Sequence, residues 1–212
     1  MNDFEKRVLS IVVNEPTLMI PKLKMLGNTK HVHSILGKYL PFRVGIEFEW
    51  GPVDDILITA IANEFKYEFN YSISIDYSEA RISFRGFKYL PQLYKFLQIL
   101  KQNVPFNTGS GIHIHIDTTN YGREFELTNE FMHHFVMDLA QYSGNYNRLG
   151  ISYFKTTTFV ITNKPSLEYR FFKMTYNYNE LVKWIIMCSY INSCLKIHAR
   201  PLTSIMDEIY KL

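Results

Sequence analysis

Three pairs of ionisable residues, each spaced two apart, are the part of this 212-residue chain best equipped for chemistry: Glu47 with Glu49, His113 with His115, and Glu168 with Arg170. Carboxylates supply the hard oxygen ligands that magnesium and manganese take, and a neutral imidazole suits manganese better than magnesium. Strand side chains alternate between faces, so residues two apart point the same way. Each pair lies in such an alternation: Arg43-Val44-Gly45-Ile46-Glu47-Phe48-Glu49-Trp50; Ile112-His113-Ile114-His115-Ile116-Asp117, opened by Gly109-Ser110-Gly111; and Ser166-Leu167-Glu168-Tyr169-Arg170-Phe171. Singly, each pair is weak. A His-x-His is often incidental or a zinc feature, a Glu-x-Arg is usually a surface ion pair, and alternation alone describes any half-wetted sheet. Together they offer three carboxylates and two imidazoles on faces that one sheet can merge, and carboxylates so gathered require a cation or raised pKa values.

The elements that must position these pairs can be read from periodicity. Apolar residues recur at helical spacing from Phe4 to Val13. Pro16 and Pro21 then interrupt the pattern before a second helical stretch at His31 to Tyr39. Beyond Pro41 the period becomes two for the first strand, which Gly51-Pro52 closes. Asp54 can cap a helix running to about Phe65. Tyr71 to Asp76 and Glu79 to Arg85 alternate as two strands, and a helix follows from about Pro91 to Asn103. Asn129 to Tyr142 is helical in pattern and carries His133 and His134, adjacent positions that cannot both face one ligand. A polar loop spans Gly144 to Gly150. After the last strand come a core helix from about Asn179 to Ile197 and, beyond Pro201, a short terminal helix. The fold class expected is α+β: a mainly antiparallel sheet with one polar active face and helices covering the other, preceded by a helical N-terminal extension over 1–40, with the main domain at 41–212.

Composition narrows the classes. A chain 47% hydrophobic and 20% charged can bury one substantial core. The net charge of +3 comes from scattered Lys and Arg, which does not point to nucleic acid. Lys22, Lys24, Lys30 and His31 would suit a helix-turn-helix reader of DNA, but a packing arm with a solvated basic face is the reading adopted. The polar start Met1-Asn2-Asp3-Phe4-Glu5 is unlike a signal peptide, and Leu181 to Leu195, broken by Lys183 and Asn192, is too short to span a bilayer. Cys188 and Cys194 fall on different faces of one helix, against a local disulfide and in keeping with a reducing cytosol.

The order of the motifs resembles the glutamine synthetase superfold, and within it the small amidoligase branch related to glutamate-cysteine ligase and common in bacteria and their phages. Gly45-Ile46-Glu47-Phe48-Glu49 matches the first ligand strand, Gly109 to His115 the glycine-led histidine strand, and Leu167-Glu168-Tyr169-Arg170-Phe171 the last. The likeness covers roughly Arg43 to Ile197. It implies a cytoplasmic ATP-dependent carboxylate-amine ligase of a bacterial or phage-infected cell, using ATP with Mg2+ or Mn2+. Glu47, Glu49, His113 and Glu168 would be metal ligands, His115 a nucleotide contact and Arg170 a phosphate contact. The substrates would be a carboxylate and an amine, from an amino acid, peptide or protein side chain.

One segment departs from that pattern. Related ligases carry further acidic residues near an Asp-Gly-Ser and a Glu followed by Ser-Pro, where this chain reads Asp76-Tyr77-Ser78-Glu79-Ala80-Arg81-Ile82-Ser83-Phe84-Arg85. Glu79 stands one position away from the motif's place, and a one-residue offset reverses the face. It nonetheless shares parity with Arg81, Ser83 and Arg85. Glu79 is therefore carried as a catalytic candidate and Arg81 as a nucleotide contact, against an exposed ion-paired hairpin. Tyr121, Arg123, Arg148, Lys155 and Lys173 are substrate-contact candidates only by nearness to the motifs. The competing functions are a catalytically lapsed relative that binds a nucleotide or partner and, third, a metal-dependent hydrolase using His113, His115 and Glu49.

Overall fold

In the computed structural model, which describes residues 1–40, 43–49, 55–65, 72–75, 79–105, 111–117, 166–196 and 203–212, helices and a small open sheet share one apolar core. Three helices come first: α1 (Asp3–Asn14), α2 (Met19–Met25) and α3 (Thr29–Tyr39). Then follow β1 (Arg43–Glu49), α4 (Asp55–Phe65), β2 (Ser72–Ile75), β3 (Glu79–Arg85), α5 (Leu90–Asn103), β4 (Gly111–Asp117), β5 (Ser166–Lys173), α6 (Tyr178–Lys196) and α7 (Thr203–Tyr210). The fold class is α+β, with five strands in the order β2-β3-β1-β4-β5 and every neighbouring pair antiparallel. The helix expected at Asn129 to Tyr142, its two histidines, the Gly144 to Gly150 loop and the Asp54 cap lie outside the described residues.

Each strand forms for the reason its alternation gives. Val44, Ile46 and Phe48 of β1, Ala80, Ile82 and Phe84 of β3, and Ile112, Ile114 and Ile116 of β4 are all buried on the helix-covered side. Aromatic contacts seal that layer. Phe96 of α5 lies 5.9 Å from Phe48 and 5.2 Å edge-on from Phe65, and Trp184 of α6 stacks on Phe172 at 4.7 Å. The middle of α6, Trp184 to Cys188, is apolar on every side and buried, as a helix with neighbours all round must be. No described helix is long and apolar enough to cross a membrane.

The N-terminal helices enter this core. Val8, Leu9, Val12 and Val13 of α1 are wholly buried, Tyr178 at the start of α6 donates a 2.9 Å hydrogen bond to the Val12 carbonyl, and Tyr39 stacks on Tyr190 at 5.8 Å. A capping box sets where α1 begins: the Asn2 side chain accepts from the Glu5 amide at 2.8 Å, and the Asn2 amide donates back to the Glu5 carboxylate at 2.9 Å. Pro21, read from sequence as an interruption, sits in the first turn of α2, where an absent amide hydrogen costs nothing. Lys22 pairs with Glu15, His31 stacks on Phe4 at 5.0 Å, and Lys24 and Lys30 are exposed.

The last strand holds a departure from simple alternation. Ile114 faces Tyr169 and Ile112 faces Phe172, so His113 alone on β4 stands against two residues of β5, Arg170 and Phe171. The bulge falls at Arg170–Phe171. It lets Tyr169 and Phe172, an odd step apart, both enter the core, where they are 0% and 1% exposed.

Candidate functional site

Register brings the motif strands into one constellation. Glu47 of the central strand β1 stands opposite Arg81 of β3 on one side and His113 of β4 on the other. Glu49 stands opposite Glu79 and Gly111, and Gly45 opposite Ser83 and His115. Glu168 stands opposite His115. Glu79 therefore shares its register side with Glu49, although the side chains of Glu79 and Glu168 are outside the described residues, as are Asp76, Ser78, Tyr121, Arg123, Arg148 and Lys155.

The described side chains form one contact network. His113 Nδ1 is 3.1 Å from Glu47 Oε2, and its Nε2 is 3.2 Å from Glu49 Oε2. Glu47 Oε1 in turn lies 3.3 Å from His115 Nε2 and 3.4 Å from Arg81 Nε. Arg170 Nη2 approaches Glu49 Oε1 at 3.9 Å, an ionic contact too long for a hydrogen bond. Lys173, at the far end of β5, turns instead to Glu180 at 3.3 Å.

Burial makes this network consequential. The His113 side chain is 5% exposed and Glu47 18%, so both charges rely on their partners. Burial alone would raise the Glu47 pKa, but hydrogen bonding to His113 and His115, with the charge of Arg81 nearby, holds its carboxyl well below the usual range. Glu49 is also lowered, chiefly by its hydrogen bond to His113 and against the pull of burial. Burial disfavours the His113 cation, yet its bonds to Glu47 and Glu49 prevail and lift it to about 9.

A pH dependence follows. A histidine raised from an ordinary 6.5 to about 9 stabilises the fold fully below 6.5 and loses that contribution as pH climbs through 9. Without divalent ions, urea unfolding should show stability falling by on the order of 2 kcal/mol between pH 6 and 9.5. His113→Gln should flatten that slope; an unchanged slope would place its origin elsewhere. The depressed carboxylates act at the acid end, where their contribution is lost as pH falls below the usual carboxylate range.

Gly45 is part of the site through its missing side chain. A β-carbon there would lie 3.1 Å from the His115 β-carbon and 3.6 Å from its ring, so any side chain would press on the imidazole that leans over β1 toward Glu47. Gly45→Ala should displace His115 and cost about 1 kcal/mol despite alanine's better strand propensity. Thermal melting checks the cost, and the His115 ring resonances in an NMR spectrum check the displacement.

The structure thus brings together Glu47, Glu49, His113, His115, Arg81 and Arg170. No group of three or more His, Cys, Asp or Glu side chains among the described residues is disposed to hold a metal ion as it stands. The reason is visible at His113: Glu47 and Glu49 engage opposite nitrogens of one ring, so His113 bridges them and the three do not converge on a point. Sequence reasoning left Arg43 unremarked. Its signal was the parity it shares with Glu47, and its meaning needed the register that sets it opposite Arg85. No family model matches the chain, and no curated protein or solved structure matches it either.

Proposed function

We propose that the polar side of this sheet is the metal-nucleotide site of an ATP-dependent carboxylate-amine ligase, in a glutamine synthetase-like arrangement. The observation that carries this reading is that Glu47 and Glu49 of β1 each reach the His113 ring of the adjacent strand, at 3.1 and 3.2 Å, so residues of two motifs share one contact network. The donors fit a divalent ion in kind, being two carboxylates and an imidazole. Glu79, in register with Glu49, adds a cross-strand pair of like charges, which is unfavourable unless a cation lies between. Glu168, in register with His115, is the fourth candidate ligand.

Mg2+ or Mn2+, bound with ATP, would supply charge neutralisation for the transferred phosphoryl group. The rest falls to the chain. On this reading Arg170 and Arg81, on either side of the carboxylates, would neutralise charge on phosphate oxygens, and His115 would contact the nucleotide. A substrate carboxylate takes the γ-phosphoryl group, ADP leaves, and an amine then displaces phosphate from the acyl phosphate to leave an amide. Because His113 holds a proton between two carboxylates, an ion recruiting its nitrogen must release that proton, which makes affinity rise with pH.

Hydroxylamine tests the reaction without knowledge of the natural amine. With ATP, Mg2+ and a panel of amino acids and peptides as carboxylates, the full chain should form hydroxamate and ADP in equal amounts. ATP binding with no hydroxamate and no ADP for any carboxylate would favour the second reading, a non-catalytic nucleotide- or partner-binding protein. That reading draws on the same His113 bridge, which is already a satisfied structural network.

A further inference from the structure

Helix α2 lies at the surface with apolar side chains on both of its sides. On the inner side Met19 and Leu23 are buried in the core. On the outer side Leu18 at the N-cap, Pro21 and Met25 follow at steps of three and four, which places them along one stripe. All three are exposed, Leu18 by 50% and Met25 by 84%. The only polar side chains of the helix are Lys22 and Lys24. Lys22 shares the face of the stripe, four residues on from Leu18, and Lys24 flanks it, three residues on from Pro21. A surface helix ordinarily turns a polar face to water, whereas this one turns outward an apolar stripe edged by lysines.

The charge of the surrounding segment is equally one-sided. From Pro16 to Leu40 the sequence has four lysines and no Asp or Glu, more positive charge than the +3 of the whole chain. Glu15 and Glu5 of α1 reach Lys22 and Lys38, while Lys24 is exposed on α2. The exposed turn at Gly27 and Asn28, both at positive φ, leads from Met25 to Lys30 and His31, which are exposed at the start of α3.

From the stripe and the charge together we infer that this face docks peripherally on an anionic lipid surface. Leu18, Pro21 and Met25 enter the boundary between headgroups and acyl chains, and Lys22, Lys24 and Lys30 meet the acidic headgroups. Apolar side chains and lysines on one face are what hold a peripheral protein at such a surface. Other occupants match the same features less well. Protein interfaces favour arginine and aromatic residues and disfavour lysine, and Pro16 to Lys30 holds no arginine and no Phe, Tyr or Trp. The phosphates of a nucleic acid would engage the lysines and leave the apolar stripe in water. The docking stands apart from the ligase reading, because α2 contributes nothing to the polar side of the sheet.

Co-sedimentation of the full chain with vesicles tests this. The protein should pellet with phosphatidylcholine vesicles containing about one third phosphatidylserine, stay in solution with pure phosphatidylcholine, and be released as salt is raised. Met25→Gln should weaken vesicle binding by about fivefold, and Lys24→Gln by about the same factor. Both side chains are exposed, so neither variant should melt below the parent. Lys95→Gln, exposed on α5, removes the same charge elsewhere and should bind as the parent does. The inference is overturned if anionic vesicles leave the protein in solution, if Met25→Gln binds as the parent does, or if Lys95→Gln loses as much as Lys24→Gln, since net charge alone would then act. A DNA duplex that binds through Lys24 and is not displaced by the vesicles would overturn it in favour of nucleic acid. A dimer that Met25→Gln dissociates in sedimentation velocity would overturn it in favour of a second copy of the chain.

Discussion

If the sheet is the ligase site proposed for it, replacing Glu47 with alanine should reduce divalent-dependent ADP formation by about a hundredfold or more, the largest effect that reading expects of any single change. Glu47 is where the network converges: one oxygen meets His113, and the other meets both His115 and Arg81. Its loss removes a candidate ligand and frees two histidines and an arginine from their common partner. His113 would keep only Glu49, and its proton would leave more readily. In metal-free buffer the same variant should lose on the order of 2 kcal/mol, less than a fully buried pair because Glu47 is partly exposed. Glu47→Gln separates the two effects, since it keeps shape and hydrogen bonding but not charge. The account expects activity to collapse while much of the stability survives. Unchanged ADP turnover in both variants would remove Glu47 from the site.

Deleting residues 1–40 should abolish the cooperative fold. The deletion would strip Val8, Leu9, Val12, Val13, Val32, Ile35, Leu36 and Tyr39 from the common core. Each buried side chain of this size is worth about 1.5–3 kcal/mol, and a whole domain is stable by only about 5–15 kcal/mol. The hydrogen bonds of Asn14 to Asn179 and to the Leu212 carbonyl, and that of Tyr178 to Val12, would be lost as well. Near-ultraviolet circular dichroism and a thermal melt of residues 41–212 check this. The expected result is no cooperative transition. A sharp melt would mean that the main domain folds alone and that the first helices are an accessory.

How much of this could be read from sequence depends on range. Strand alternation is local, so the three motif pairs and the buried Val44, Ile46, Phe48, Ile112 and Ile114 were legible from their neighbours alone. Register is not local. Nothing within β1 tells that Glu47 faces His113 and Arg81 while Gly45 faces His115, and so the bridging role of His113 and its neighbour His115's close fit over Gly45 emerged only with the sheet assembled. The same holds for Arg43 and Arg85, unremarkable until paired. The bulge in β5 breaks the period at Arg170–Phe171 because both Tyr169 and Phe172 must reach the core, a demand set by Trp184 on a distant helix. Pro21 was misread for a related reason: whether a proline ends a helix or begins one depends on where the first turn falls, and that is set by how Met19 and Leu23 pack.

The most direct test of the central claim is to titrate the full chain with Mn2+ in the presence of a non-hydrolysable ATP analogue, following free Mn2+ by electron paramagnetic resonance. The account predicts saturable binding that requires the nucleotide, tightens from pH 6 to 8 because the ion must displace the His113 proton, and is lost in Glu47→Ala and Glu49→Ala. Binding no tighter in the parent chain than in those two variants would contradict it, and the constellation at Glu47 would then be an ion-pair network that holds the sheet together.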